Sequence, residues 1–185
     1  MNFLLRAIGI PLMVFCVSVQ AHASEMLEAD MRCAAPVGSP AGALVTVVNQ
    51  VRARDTFYQY LRLAKGLPVE CRGIVLSDPE KDRGWVAFRW PDDSQFKWEF
   101  GPPEFFRATY SRKDGINQEL EATAAFRRYA EQRGLKIDWA KSTTETSSSG
   151  RIVEYSDEDP GHNSFVRLSY DQAERLIALT LSMSL

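Results

Sequence analysis

The chain has 185 residues, 45% of them apolar and 25% charged, with 22 Lys and Arg against 24 Asp and Glu. Those figures exclude a disordered chain, a collagen-like repeat and a coiled coil, and they fit one globular domain. A net charge of -2 also argues against a nucleic-acid binder, whose basic footprint would show in the total.

Residues 1–23 read as a secretory signal peptide. Arg6 precedes an uncharged apolar run from Ala7 to Val19, and Ala21-His22-Ala23 places small residues at the -3 and -1 positions of a cleavage site before Ser24. The run is shorter than the roughly 20 residues that a membrane-spanning helix needs, and Pro11 weakens it as a helix. Phe15 is too bulky for the small residue that a lipidation site would want before Cys16. The expected destination is the bacterial periplasm or the outside of the cell, in soluble form with no membrane span.

Residues 24–42 form an arm punctuated by Pro36, Gly38, Pro40 and Gly42, ahead of one domain over residues 43–185. Loss of the leader leaves two cysteines, and an oxidising compartment makes a Cys33–Cys71 disulfide the default. Closing a loop of 38 residues would stabilise the fold by up to about 4 kcal/mol on the chain-entropy model. No C-x-x-C spacing suggests a redox pair instead.

In Ala43–Val51 helical spacing competes with β-branched density, and the stretch stays ambiguous. Asp55 reads as an N-cap for a helix over 56–65 that stops at Gly66, with Phe57, Tyr60, Ala64 and Leu67 as its buried stripe. Cys71–Leu76 is a short strand, and residues 78–82 form a turn. A hairpin follows, in which Val86, Phe88 and Trp90 alternate with Trp85, Ala87 and Arg89, and Phe96, Trp98 and Phe100 with Gln95, Lys97 and Glu99. Directly opposed residues must share a face, so the loop should be odd. Three residues pair Phe88 with Phe96 and Val86 with Trp98, whereas five would oppose Arg89 to Lys97.

Phe105–Ser111 continues the apolar face through Phe106, Ala108 and Tyr110. A second helix runs from about 117 to 133, buries Ala122, Phe126, Tyr129 and Ala130, and ends at Gly134. Its Arg127 and Arg128 suggest an anion site or, more simply, complement the helix dipole. Leu135–Trp139 reads as a short strand, and residues 141–150 as a polar loop or a polar edge strand. Val153 with Tyr155, and Val166 with Leu168 and Tyr170, mark two further strands. A last strand alternates Ile177, Leu179, Leu181, Met183 and Leu185 with small or polar residues. The expected fold is α+β: an antiparallel sheet of about six strands against two helices, in the order α-β-β-β-α-β-β-β.

Catalytic signatures are missing from the sequence. It has no H-E-x-x-H, G-x-S-x-G or phosphate-loop motif. His162, the one histidine after the leader, sits in a Pro-Gly turn rich in acids, where solvation is the simpler role. That turn lacks the ligand spacing of a calcium loop. No catalytic residue, metal or cofactor is implied.

Two-period alternation instead puts Trp85, Arg89, Lys97, Glu99, Phe105 and Arg107 on the sheet face opposite the aromatic core. Trp, Phe and Arg on a wet face resemble the composition of binding hot spots, unless a helix or the C-terminal strands cover that face. The reading that follows is a binding module, an inhibitor or immunity-type protein acting on another secreted or envelope protein. Two alternatives stand beside it. One is a carboxylate-dependent hydrolase of cell-wall polysaccharide, with Glu99 or Glu104 beside aromatics. The other is an envelope-assembly or ligand-carrying protein with a pocket between helices and sheet.

Overall fold

The computed structural model describes residues 55–76, 83–101, 105–158 and 163–184. The leader, the arm with Cys33, the Ala43–Val51 stretch, the 78–82 turn, Glu104, His162 and Leu185 lie outside the described residues. No described helix is long and apolar enough to cross a membrane.

The fold is α+β, but among the described residues its sheet has eight strands rather than about six. Helix α1 (Thr56–Lys65) is followed by β1 (Glu70–Leu76), β2 (Arg83–Arg89), β3 (Gln95–Gly101) and β4 (Phe105–Ser111). Helix α2 (Glu119–Gln132) is followed by β5 (Thr143–Ser147), β6 (Gly150–Ser156), β7 (Phe165–Tyr170) and β8 (Leu176–Met183). All neighbours are antiparallel, in the order β1-β2-β3-β4-β8-β7-β6-β5. Each half is a helix plus a four-stranded meander, and the two meanders join along β4 and β8.

Local chemistry sets the α1 boundaries. Asp55 accepts a hydrogen bond from the Tyr58 N–H at 3.1 Å, and Gly66 ends the helix at φ 77°. The buried residues are Phe57, Tyr58, Leu61 and Arg62, while Ala64 is exposed. The stripe is therefore turned roughly a quarter-turn from the expected one, because Tyr58 packs on Phe88 and Trp90 of the sheet. Helix α2 buries the expected Ala122, Phe126, Tyr129 and Ala130 together with Ala125. Arg127 stacks on Trp139 at 4.7 Å and Arg133 on Phe106 at 4.3 Å, so both serve in packing.

The β2–β3 hairpin has the three-residue loop that face-matching favours. Val86 pairs with Trp98, Phe88 with Phe96 and Arg89 with Gln95. Trp90 N–H donates to the Ser94 carbonyl, and Asp93 takes the left-handed turn position at φ 59°. Burial works against the charge on Asp92, yet hydrogen bonds from Lys65 and Ser94 hold that carboxyl at about 2. The turn is thereby tied to the end of α1.

After α2 one segment differs from expectation, and in the next the edge-strand option is the one realised. Leu135–Trp139 makes one isolated bridge, Ile137 to Asp157, rather than a strand, with Leu135 buried and Ile137 and Trp139 packed on the core. The polar stretch after it supplies edge strand β5, whose side chains are all exposed. Strand β8 keeps its alternation at Leu179 and Leu181, but an irregularity at Ser169/Tyr170 pairs Tyr170 with Leu176. That change of register buries Leu176 and leaves Ile177 half-buried.

Candidate functional site

Both helices lie on one face of the sheet. Phe57 of α1 meets Phe96 and Tyr110 of the sheet and Phe126 and Tyr129 of α2, all with ring centroids within about 6 Å. These rings occupy the space between helices and sheet that a ligand carrier would need.

The strand registers place the expected binding residues on the opposite face. Trp85, Glu99 and Arg107 form one row across β2, β3 and β4, which continues to Ser182 and Phe165. The next row runs Ala87, Lys97, Thr109, Thr180, Arg167 and Glu154. Arg89 and Gln95 belong to a third row, and Phe105 sits beyond Arg107 at the other end of β4. All six expected residues are half-buried.

Rings and cations on this face form couples. Lys97 Nζ lies 5.5 Å from the Trp85 ring, the Arg107 guanidinium 5.3 Å from Phe105, and the Arg167 guanidinium 4.7 Å from Phe165. Such couples hold long side chains flat and extended, at about 0.5–1 kcal/mol each where exposed. Carboxylates engage most of the cations: Lys97 pairs with Glu99 at 2.8 Å and Arg167 with Glu154 at 2.6 Å. Glu70 binds Arg89 at 2.7 Å and Arg72 at 2.5 Å. Hydrogen bonds from Arg89 and Arg72 hold the Glu70 carboxyl below its usual range. Arg89 also meets Asp93 at 3.0 Å, so it is the most internally committed of the six.

Sequence reasoning missed Phe165, Arg167 and Glu154. Phe165 and Arg167 alternate with the core residues Val166 and Leu168, so their face was legible. Their nearness to Arg107 was not, because it depends on β8 lying between β4 and β7.

Two other clusters bear on catalysis. A cavity of about 520 Å³ is lined by Asp138, Glu154, Asp157, Glu158, Lys141 and nearby hydroxyls. Lys141 and the Ala140 N–H hold Asp138 below the usual carboxylate range, the reverse of what a general acid requires. The carboxyl that burial does raise, to about 6, is Asp55. It is fully enclosed, accepting from Tyr129 Oη at 2.8 Å with Arg133 at 3.9 Å. Glu99 is held by Lys97. Among the described residues, no group of three or more His, Cys, Asp or Glu side chains converges as a metal site would.

No family model, characterised protein or solved structure matches the chain.

Proposed function

We propose that the chain is an exported binding module, an inhibitor or immunity-type protein, whose open sheet face docks on another secreted or envelope protein. The observation that carries this reading is the set of three ring–cation couples laid on one half-exposed face, opposite both helices. Half-buried Trp, Phe and Arg side chains held in place by their neighbours have little rotamer freedom left to lose on association. Export rests on the leader, with cleavage between Ala23 and Ser24 and a Cys33–Cys71 disulfide in the mature chain. Cys71 belongs to the core-facing row with Phe88 and Phe96, where a crosslink would anchor the arm to the body.

The binding reading is tested by capturing partners from envelope extract on immobilised mature protein and identifying them by crosslinking and mass spectrometry. Trp85→Ala with Arg89→Ala should abolish capture while leaving the circular dichroism intact. Leu120→Ser, on the outer surface of α2, should not. Full capture by the folded double variant refutes the reading. Intact-mass analysis of the native product reports on leader removal and on the disulfide.

A further inference from the structure

We infer that Arg83 and Arg107, both set beside Phe105, form the point at which the open face receives an acidic side chain of a partner protein. The inference rests on the binding reading above and gives that face its chemistry.

The cations of the face divide into two groups. Arg72, Arg89, Lys97 and Arg167 each have a carboxylate within 2.8 Å. Arg83 and Arg107 have none among the described residues. Glu99 stands opposite Arg107 in the register, but its charge is taken up by Lys97 on its own strand. Among the described residues Arg107 is thus left without a carboxylate: its guanidinium lies 5.3 Å from the Phe105 ring, and its Nε is buried without a hydrogen bond.

Gly101 brings the second arginine to the same ring. It is the register partner of Phe105, and it continues the β2–β3 ladder beyond Gly84 and Phe100. A Cβ on Gly101 would stand 3.3 Å from Arg83 Cγ and 3.8 Å from Phe105 Cδ1. With only a hydrogen there, the Arg83 stem and the Phe105 ring close over the backbone between them. The result is an apolar ring with the Arg107 guanidinium over it and the Arg83 stem beside it, the Arg107 group already partly desolvated.

A planar guanidinium of this kind pairs with a carboxylate in two parallel hydrogen bonds. Because Arg107 already stacks on a ring, an incoming carboxylate would meet a side chain with little freedom left to lose. The surroundings select the kind of partner. Glu99, Glu154 and Glu70 already occupy the other four cations of the face, and the chain as a whole carries a net charge of -2. A polyanion such as nucleic acid or an anionic bilayer would therefore find only two unengaged charges here among the described residues. An isolated carboxylate beside an apolar side chain on a protein surface needs no more.

The test uses the full mature chain, followed by the chemical shifts of its backbone amides. The probes are a Glu-Phe-Glu-Ser-Glu peptide amide, its Gln-Phe-Gln-Ser-Gln counterpart, oligothymidylate and phosphatidylglycerol vesicles. The acidic peptide should bind and shift the amides around Arg83, Phe105 and Arg107. Arg107→Gln should weaken it roughly tenfold, with Arg107→Lys restoring only part of the loss. Lys113→Gln, in the exposed loop between β4 and α2, should change nothing. The inference is overturned by equal binding of the glutamine peptide, or by no response to the acidic peptide at millimolar concentration. It is equally overturned by unchanged affinity in Arg107→Gln, or by tighter binding of oligothymidylate or the vesicles. If these arms fail while Trp85→Ala with Arg89→Ala still abolishes partner capture, the open face remains the docking surface and only its carboxylate specificity is lost.

Discussion

Replacing Asp55 by Asn should remove a pH dependence of stability that the fold builds into its own interior. Asp55 is 1% exposed and caps α1, and it also accepts the Tyr129 hydroxyl, so one carboxylate ties the two helices together. Burial raises its pKa from 3.8 to about 6, with the hydrogen bonds and Arg133 offsetting only part of the cost. At about 1.4 kcal/mol per pH unit, folding disfavours the ionised form by about 3 kcal/mol. The sign follows from proton counts. Below pH 3.8 both the folded and unfolded chains hold the proton, and stability is at its full value. Between 3.8 and about 6 the folded chain keeps a proton that the unfolded chain has released, so stability falls as pH rises. Above 6 the loss is complete and constant. Asn is as good an N-cap as Asp, keeps an acceptor for the Tyr58 N–H, and can donate to the Tyr129 oxygen. Urea midpoints for both proteins, read from the fluorescence of buried Trp90 from below pH 4 to above pH 6, give the difference curve. The parent should lose up to about 3 kcal/mol relative to Asp55→Asn across that window and run parallel outside it. A flat difference, or one that rises with pH, would refute the assignment.

Two other substitutions probe the turns that set the sheet. Gly150→Ala would put a Cβ 2.0 Å from the Tyr170 carbonyl oxygen at a φ of 138°, so the β5–β6 hairpin must move. The loss should exceed about 2 kcal/mol, read as a lowered melting temperature, and a variant as stable as the parent would show that the hairpin does not approach Tyr170 so closely. Asp92→Asn removes the carboxylate that Lys65 and Ser94 hold at about 2. Its destabilisation should be present above pH 3.8 and shrink as pH falls towards 2, because there the parent's own carboxylate becomes protonated. Equal melting temperatures for parent and variant at neutral pH would contradict the role given to the Lys65 pair.

Much of the local structure was legible because its causes are local. An Asp before a periodic run and a Gly after it bounded α1 correctly. The β2–β3 register followed from requiring aromatic residues to share a face. Strand β5 was legible only as one of two options, since Thr143–Ser147 carries no apolar side chain and owes its conformation to pairing with β6. The α1 stripe was misjudged because periodicity gives several nearly equivalent faces, and contact of Tyr58 with Phe88 and Trp90 chose among them. The segment from Leu135 to Trp139 has the apolar alternation of a strand, yet its side chains pack on the core and its backbone meets only one bridge partner.

In the strands, which residues face the core and which face away was determined by the sequence itself, since a period of two fixes sides wherever one side must be buried. Which of them become neighbours was a tertiary matter. Phe165 and Arg167 lie far along the chain from Phe105 and Arg107, and they reach the same face only because β8 inserts between β4 and β7. The pairing of Lys97 with Glu99 is local, since they share a face two residues apart. That Arg107 stands opposite this engaged Glu99, with no other carboxylate to pair with among the described residues, depends on the β3–β4 register. Pattern follows from the side chain and its immediate neighbours, whereas adjacency follows from strand pairing between distant segments, which is settled by the packing of the whole sheet against both helices.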